Sequence, residues 1–255
     1  MNNSVTIKTD KLNKHFGLIH AVRDLDLEVK QGSRFGFLGP NGAGKTTTVR
    51  ILSGLMKQSS GTATVCGLPL DKKRNAIKEI TGLLPETPGL YSKLSAVEFL
   101  EFIGALNGKN GSELMHRIDS LLGLLGLESR QNDLIESYSS GMKQKVLIAS
   151  TLLHDPKLVF LDEPTSRLDP SASMVVKELI QVLADETSTT FFICTHQTSF
   201  AEDVCDHIGI IIDGALVIQG ALEDITTATD ARNLEEAYLR IVGSKVDRNT
   251  LLQWR

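Results

Sequence analysis

The sequence predicts an α/β fold whose parallel sheet is interrupted by an all-helical insertion. Three observations carry that expectation. Short apolar strands fill both ends of the chain. A glycine-rich turn joins one of them directly to a helix. From about residue 95 to 152 the apolar period becomes purely helical. With 255 residues, 41% of them hydrophobic and 23% charged, the chain is long enough for one large α/β domain or a core with a smaller inserted lobe.

Residues 4–38 read as short strands, VTIK, LDLEV and SRFGFLG. The segment 44–55 reads as a helix leaving the glycine-rich turn. TATVCG is a strand ending in a turn, and TGLLPE is an apolar run stopped by Pro85 and Pro88. SAVEFLEFIGAL opens on Ser95 with Glu98 three residues on, a capping box. SELMHRIDSLLGLLGL follows, then a helix after YSSG. KLVFLD (157–162), TTFFICT (189–195), IGIIID (208–213) and ALVIQG (215–220) are strands. A helix over 171–186 separates the first two, so they pair in parallel. NLEEAYLRIVG is a short helix capped by Asn233, and the final dozen residues are left unassigned.

Composition narrows function. A formal charge of −4 gives no basic footprint, so no nucleic-acid partner is expected. No apolar run approaches the eighteen or so residues of a membrane span. The longest candidate, LLGLLGL at 121–127, lies between Asp119 and Glu128. The stretch MNNSVTIKTDK has no signal-peptide apolar region. Cys66, Cys194 and Cys205 lack CxxC or CxxH spacing and read as reduced, packed thiols of a cytosolic protein.

The chemistry begins at GPNGAGKTT, 39–47, which matches G-x-x-x-x-G-K-[ST] between an apolar strand and a helix. Its glycines let the backbone through Asn41, Gly42, Ala43, Gly44, Lys45, Thr46 and Thr47 curl so that amides converge on phosphate oxygens. Lys45 reaches the β/γ oxygens of a nucleotide, and the Thr46 hydroxyl is a ligand for Mg²⁺. LVFLDEP ends a strand in two carboxylates that point to different places: Asp162 suits the Mg²⁺ shell, and Glu163 polarises an attacking water. His196, in CTHQ, ends another strand, where it either bonds a γ-phosphate or holds the catalytic carboxylate and water. YSSGMKQK starts a helix on small and hydroxyl residues, which serve as a plain cap or as an anion site.

In order, the P-loop, a Q-loop-like LLPE, YSSGM, LVFLDE, SRLD and His196 resemble the ATP-binding cassette (ABC) ATPases, over residues 4–225. That resemblance implies a P-loop NTPase with a RecA-like mixed-sheet core, an N-terminal antiparallel β subdomain and an inserted α-helical subdomain. The ATPase domain would cover 1–225, with core segments 1–88 and 153–225 and the helical subdomain at about 89–152. A short C-terminal helix and tail would occupy 226–255. It further implies ATP and Mg²⁺ as cofactors, with Glu163, His196 and Lys45 catalytic. Two cassettes, alike or not, would pack head to tail, so that Ser139 and the Gly141 amide meet a γ-phosphate held by the partner.

Departures from the family pattern are visible. Tyr138, Ser140 and Met142 replace the usual Leu, first Gly and Gln of the signature. Glu86 stands where the Q-loop has glutamine and still offers Mg²⁺ an oxygen. Arg167 stands where the D-loop has glycine. Phe16, in KHFG, falls where the family places a ring on adenine, although a ring at a strand edge equally packs into a core. Asp169 either orients the partner's P-loop or caps the helix from 171. LPETPGLY is similar to cassettes paired with ABC-2-type exporter subunits. The implied function is therefore the ATP-hydrolysing motor of a membrane transporter, peripheral on the cytoplasmic face of the cell membrane. Its separate transmembrane permease would dock around Glu86 to Leu94. A soluble ABC ATPase acting as scaffold, sensor or on nucleic acid is the alternative.

Overall fold

Continuous burial marks the central strands, and alternating burial marks the antiparallel sheet. In the computed structural model, which describes residues 4–166, 168–187 and 189–243, β1 (Val5–Phe16), β2 (Ile19–Leu25) and β3 (Glu28–Lys30) pair antiparallel, with β1 in the middle. Next come β4 (Arg34–Leu38), α1 (Lys45–Leu52), β5 (Ser60–Val65) and β6 (Leu68–Pro69). The first sheet runs β2-β1-β5-β6, with β3 off β1, and its strands keep one face in solvent.

After α2 (Arg74–Ile80) and β7 (Thr81–Leu84), the helical insertion consists of α3 (Ala96–Leu106), α4 (Gly111–Leu124) and α5 (Ser140–Leu152). The chain then returns through β8 (Leu158–Asp162), α6 (Pro170–Glu186), β9 (Thr190–Thr195), α7 (Thr198–Val204), β10 (His207–Ile212) and β11 (Ala215–Ala221), ending in α8 (Leu222–Ala228) and α9 (Leu234–Val242). The second sheet has the order β11-β10-β4-β9-β8-β7, and only β11 is antiparallel to its neighbour.

Strands β8 and β9 are buried along their whole length, as a parallel strand covered on both faces requires. Side chains alternate between two cores. Leu158 and Phe160 enter the one shared with the antiparallel sheet, while Val159 and Leu161 enter the one under the helical insertion. Phe192 anchors the first, with ring centroids 5.3 to 5.6 Å from those of Phe37, Phe35 and Phe160. Each such ring contributes roughly 1.5–3 kcal/mol by leaving water.

The capping box forms as expected: the Ser95 hydroxyl accepts from the Glu98 amide at 3.2 Å, and Glu98 accepts from the Ser95 amide at 2.8 Å. Asn233 caps α9 through the Glu236 amide at 2.9 Å. Three differences from the sequence expectations have physical causes. Strand β1 runs on to Phe16 because register shifts near Asn13 and Lys14 disguise its alternation. LDLEV divides between the end of β2 and β3. Helices α2, α7 and α8 have seven residues each, too few to show a 3.6-residue period. Arg167 and the tail 244–255 lie outside the described residues. No helix among those described is long and apolar enough to cross a membrane.

Ser95→Ala removes one half of the box and leaves a first-turn amide unpaired. It should cost about 1 kcal/mol, read as a lower urea midpoint at unchanged slope. An unchanged midpoint would show that α3 is held by packing alone.

Candidate functional site

The register of three parallel strands builds the site. Leu38 pairs with Thr195, and Asp162 pairs with Cys194, so β4, β9 and β8 end at one edge. Past that edge lies a cavity of about 390 Å³, lined by Ala21, Asn41, Gly42, Gly44, Lys45, Thr46, Thr47, Glu86, Asp162 and Glu163. Ligands of open α/β sheets bind at this end of the strands.

Two glycines let the loop pass there. A Cβ on Gly39 would sit 2.3 Å from the Ile211 carbonyl of the neighbouring strand. Gly44 has φ +105 and a Cβ on it would sit 2.4 Å from the Ala21 carbonyl. Gly44 is the N-cap of α1 and gives the helix no side-chain cap, so the first-turn amides are left for an anion. Lys45 is buried and folds back, donating to the carbonyls of Gly39 at 2.6 Å and Pro40 at 3.2 Å.

The Thr46 hydroxyl donates to Asp162 Oδ2 at 2.7 Å, tying α1 to the tip of β8. Burial pushes the Asp162 carboxyl up from its ordinary range. The Thr46 hydroxyl opposes that shift, Glu86 and Glu163 add to it, and Lys45 opposes it again. Three carboxylates thus face one cavity, and its Lys45 is turned to backbone carbonyls. Thr46, Asp162 and Glu86 present oxygens only, the donor set of a hard cation such as Mg²⁺. No cluster of three His, Cys, Asp or Glu side chains suited to a metal occurs among the described residues. A cation here would therefore complete its shell with phosphate oxygens and water, as Mg²⁺ does.

Glu163 departs from the strand at once. Its φ of +53 is left-handed, a conformation that costs a non-glycine residue on the order of 1 kcal/mol and is found at functional sites. Its amide still donates to the Cys194 carbonyl at 2.9 Å. The turned side chain meets His196, whose Nδ1 lies 2.8 Å from Oε1, and the Thr195 hydroxyl, which donates to Oε2 at 3.3 Å. Of the two roles open to His196, the structure shows the one directed at the carboxylate.

Other expected residues lie outside the cavity lining. Phe16 is 44% exposed beneath the Lys14 ammonium, 4.9 Å from the ring centroid, so the alternative of core packing does not hold. Ser139 caps α5, accepting from the Met142 amide at 3.3 Å. Gly141 is buried against α6, where an added Cβ would lie 3.3 Å from the Ala172 methyl. Asp169 accepts from the Ala172 amide at 2.9 Å and so caps α6. Tyr138 occupies its unusual place by burying its ring and donating its hydroxyl to the Arg130 carbonyl. Ala21 and Thr195 were not singled out from sequence. Ala21 acts through its backbone, which leaves no signal. Thr195 was legible as a polar residue ending an apolar strand.

A sequence profile of the family described as "ABC transporter" matches residues 22–166. The chain belongs to this family. The cassette is 42% identical, over 84% of its length and 69% of the relative's, to the bacitracin transport ATP-binding protein BcrA of Bacillus licheniformis. It is 36% identical, over 86% and 70%, to the linearmycin resistance ATP-binding protein LnrL of Bacillus subtilis. Among solved structures, an ATP-binding subunit of an ABC transporter superposes with a TM-score of 0.84 at 29% identity, covering 93% of this chain and 99% of that one. The cassette is thus an ATP-binding ATPase subunit that powers a membrane transporter.

The charge in the cavity has a consequence for stability. As pH rises through the ordinary aspartate range near 3.8, the unfolded chain releases the Asp162 proton before the folded chain does, so stability is lost upward. Without nucleotide or divalent cation, Asp162→Asn should therefore melt at a higher temperature than wild type at pH 7, with the gain shrinking toward pH 4. A gain independent of pH, or a lower melting temperature, would contradict this.

Proposed function

We propose that this chain is the motor of an ABC-2-type exporter and works as one of two cassettes that share their nucleotides. One observation carries the reading: Asn41, Gly42 and Gly44–Thr47 line one cavity with Glu86, Asp162 and Glu163, while Ser139 and Gly141 form a second helix start outside it. In the proposed cycle the amides of residues 42–47 and Lys45 hold the β- and γ-phosphates, and Phe16 stacks on adenine. Thr46, Asp162 and Glu86 would hold Mg²⁺, which when bound would supply positive charge against that developing on the phosphate. Glu163 takes the proton of the attacking water, and His196 holds that carboxylate. Ser139 and the Gly141 amide of the second cassette close over the γ-phosphate. ATP binding only the closed pair stabilises it by mass action, and hydrolysis releases it.

The exporter assignment is supported by relatives that include bacitracin transport, linearmycin resistance and Nod factor export proteins. It is also supported by the surface beyond Glu86. Tyr91 is 57% exposed and packs edge-on against Phe102 at 5.4 Å, and Leu106, farther along α3, is 69% exposed. A short segment thus links a cavity carboxylate to an aromatic patch on which a permease helix would rest, at the cytoplasmic face of the membrane.

Glu163→Gln should slow ATP turnover by roughly 100-fold or more and accumulate ATP-bound dimers in size-exclusion chromatography. Turnover near the wild-type rate would remove Glu163 from the mechanism. Tyr91→Glu with Phe102→Glu should keep nucleotide binding and lose co-purification with a polytopic membrane protein. Retained co-purification would move the docking site elsewhere.

A further inference from the structure

We infer that Thr195 is a positioning residue for ATP hydrolysis, its hydroxyl holding the second oxygen of Glu163 while His196 holds the first. The inference rests on the reading of Glu163 as general base. The direction of the hydrogen bonds follows from the donors present. The Gln197 amide donates to Thr195 Oγ1 at 3.0 Å and occupies a lone pair there. The single hydroxyl proton is left for Glu163 Oε2, 3.3 Å away. His196 Nδ1 meets Oε1 at 2.8 Å. Two consecutive residues at the tip of β9 therefore engage both carboxylate oxygens.

The two holders differ in exposure. Thr195 is completely buried and in register with Leu38 of β4, inside the sheet. The His196 side chain is 52% exposed just past the strand end. If His196 turns toward an arriving phosphate, Thr195 still holds the carboxylate. Glu163 needs such a fixed partner because its left-handed backbone, at φ +53, turns its side chain off the strand, and because Asp162 and Glu86 share the cavity. A base displaced by even an ångström loses much of its effect.

The test is steady-state ATP hydrolysis by the full-length chain with Mg²⁺, comparing Thr195→Val, Thr195→Ser and Glu163→Gln. Valine keeps the shape and removes the donor, and serine keeps the donor. Thr195→Val should lower kcat by about 10- to 100-fold, the cost of a hydrogen bond to a charged group, with the KM for ATP changed by less than about twofold. Thr195→Ser should stay within about threefold of the wild-type kcat, because the donor is retained. Wild-type kcat in Thr195→Val, a loss that appears in KM instead, or a serine variant as slow as valine would each overturn the inference. Should valine prevent folding, Thr195→Ala set against Thr195→Ser makes the same comparison. Turnover surviving in Glu163→Gln, or none in wild type, would instead sink the underlying assignment of the base.

Discussion

Everything in this molecule depends on three neighbouring parallel strands ending level with one another. Leu38, Asp162 and Thr195 stand at one edge because β4, β9 and β8 are adjacent and in a fixed register. A slip by one residue would turn every side chain to the opposite core and separate the phosphate cradle from its carboxylates. Burial on both faces prevents such a slip: apolar side chains interlock on one side around Phe192 and on the other beneath the helical insertion. The packing of the core and the geometry of the site therefore share one cause.

Like charges crowd at that edge. Glu86, Asp162 and Glu163 converge while Lys45 is turned to the carbonyls of Gly39 and Pro40. A magnesium nucleotide would supply both the cation that the carboxylates need and the anion that the lysine and free amides need. The strain stored at Glu163 belongs to the same pattern, in which local stability is given up where a ligand restores it. Because Glu86 begins the segment that leads to Tyr91, occupancy of the cavity has a direct covalent route to the exposed aromatic patch.

Features with local causes were legible in the sequence. The glycine turn into α1, the capping box at Ser95 and the Asn233 cap each follow from a few residues at fixed spacing, and all appear where expected. The βαβ unit through α6 follows from continuous apolar runs on either side of a helix. Features set by distant neighbours were not legible. The bulged length of β1 comes from pairing with β2 and β5, and the exposure of Phe16 from where that strand ends. The turn of Glu163 and its grip by Thr195 come from the meeting of two strands. Asp169 was open between two roles, and its bond to the Ala172 amide shows that it is at least a cap.

The proposed pairing would bring the other half of the site from a second cassette. Ser139 and Gly141 lie outside the cavity, and Gly141 packs beside Asp169 and Ala172 at the start of α6. In the proposed head-to-tail pair, each cradle would meet the cap of the other cassette. The most direct test is a crystal structure of the Glu163→Gln chain grown with ATP and Mg²⁺. It should contain two nucleotides at the seam between two copies, each with its β- and γ-phosphates on residues 42–47 of one chain and its γ-phosphate against Ser139 of the other. Nucleotide bound by one chain alone, with Ser139 facing solvent, would contradict the shared site.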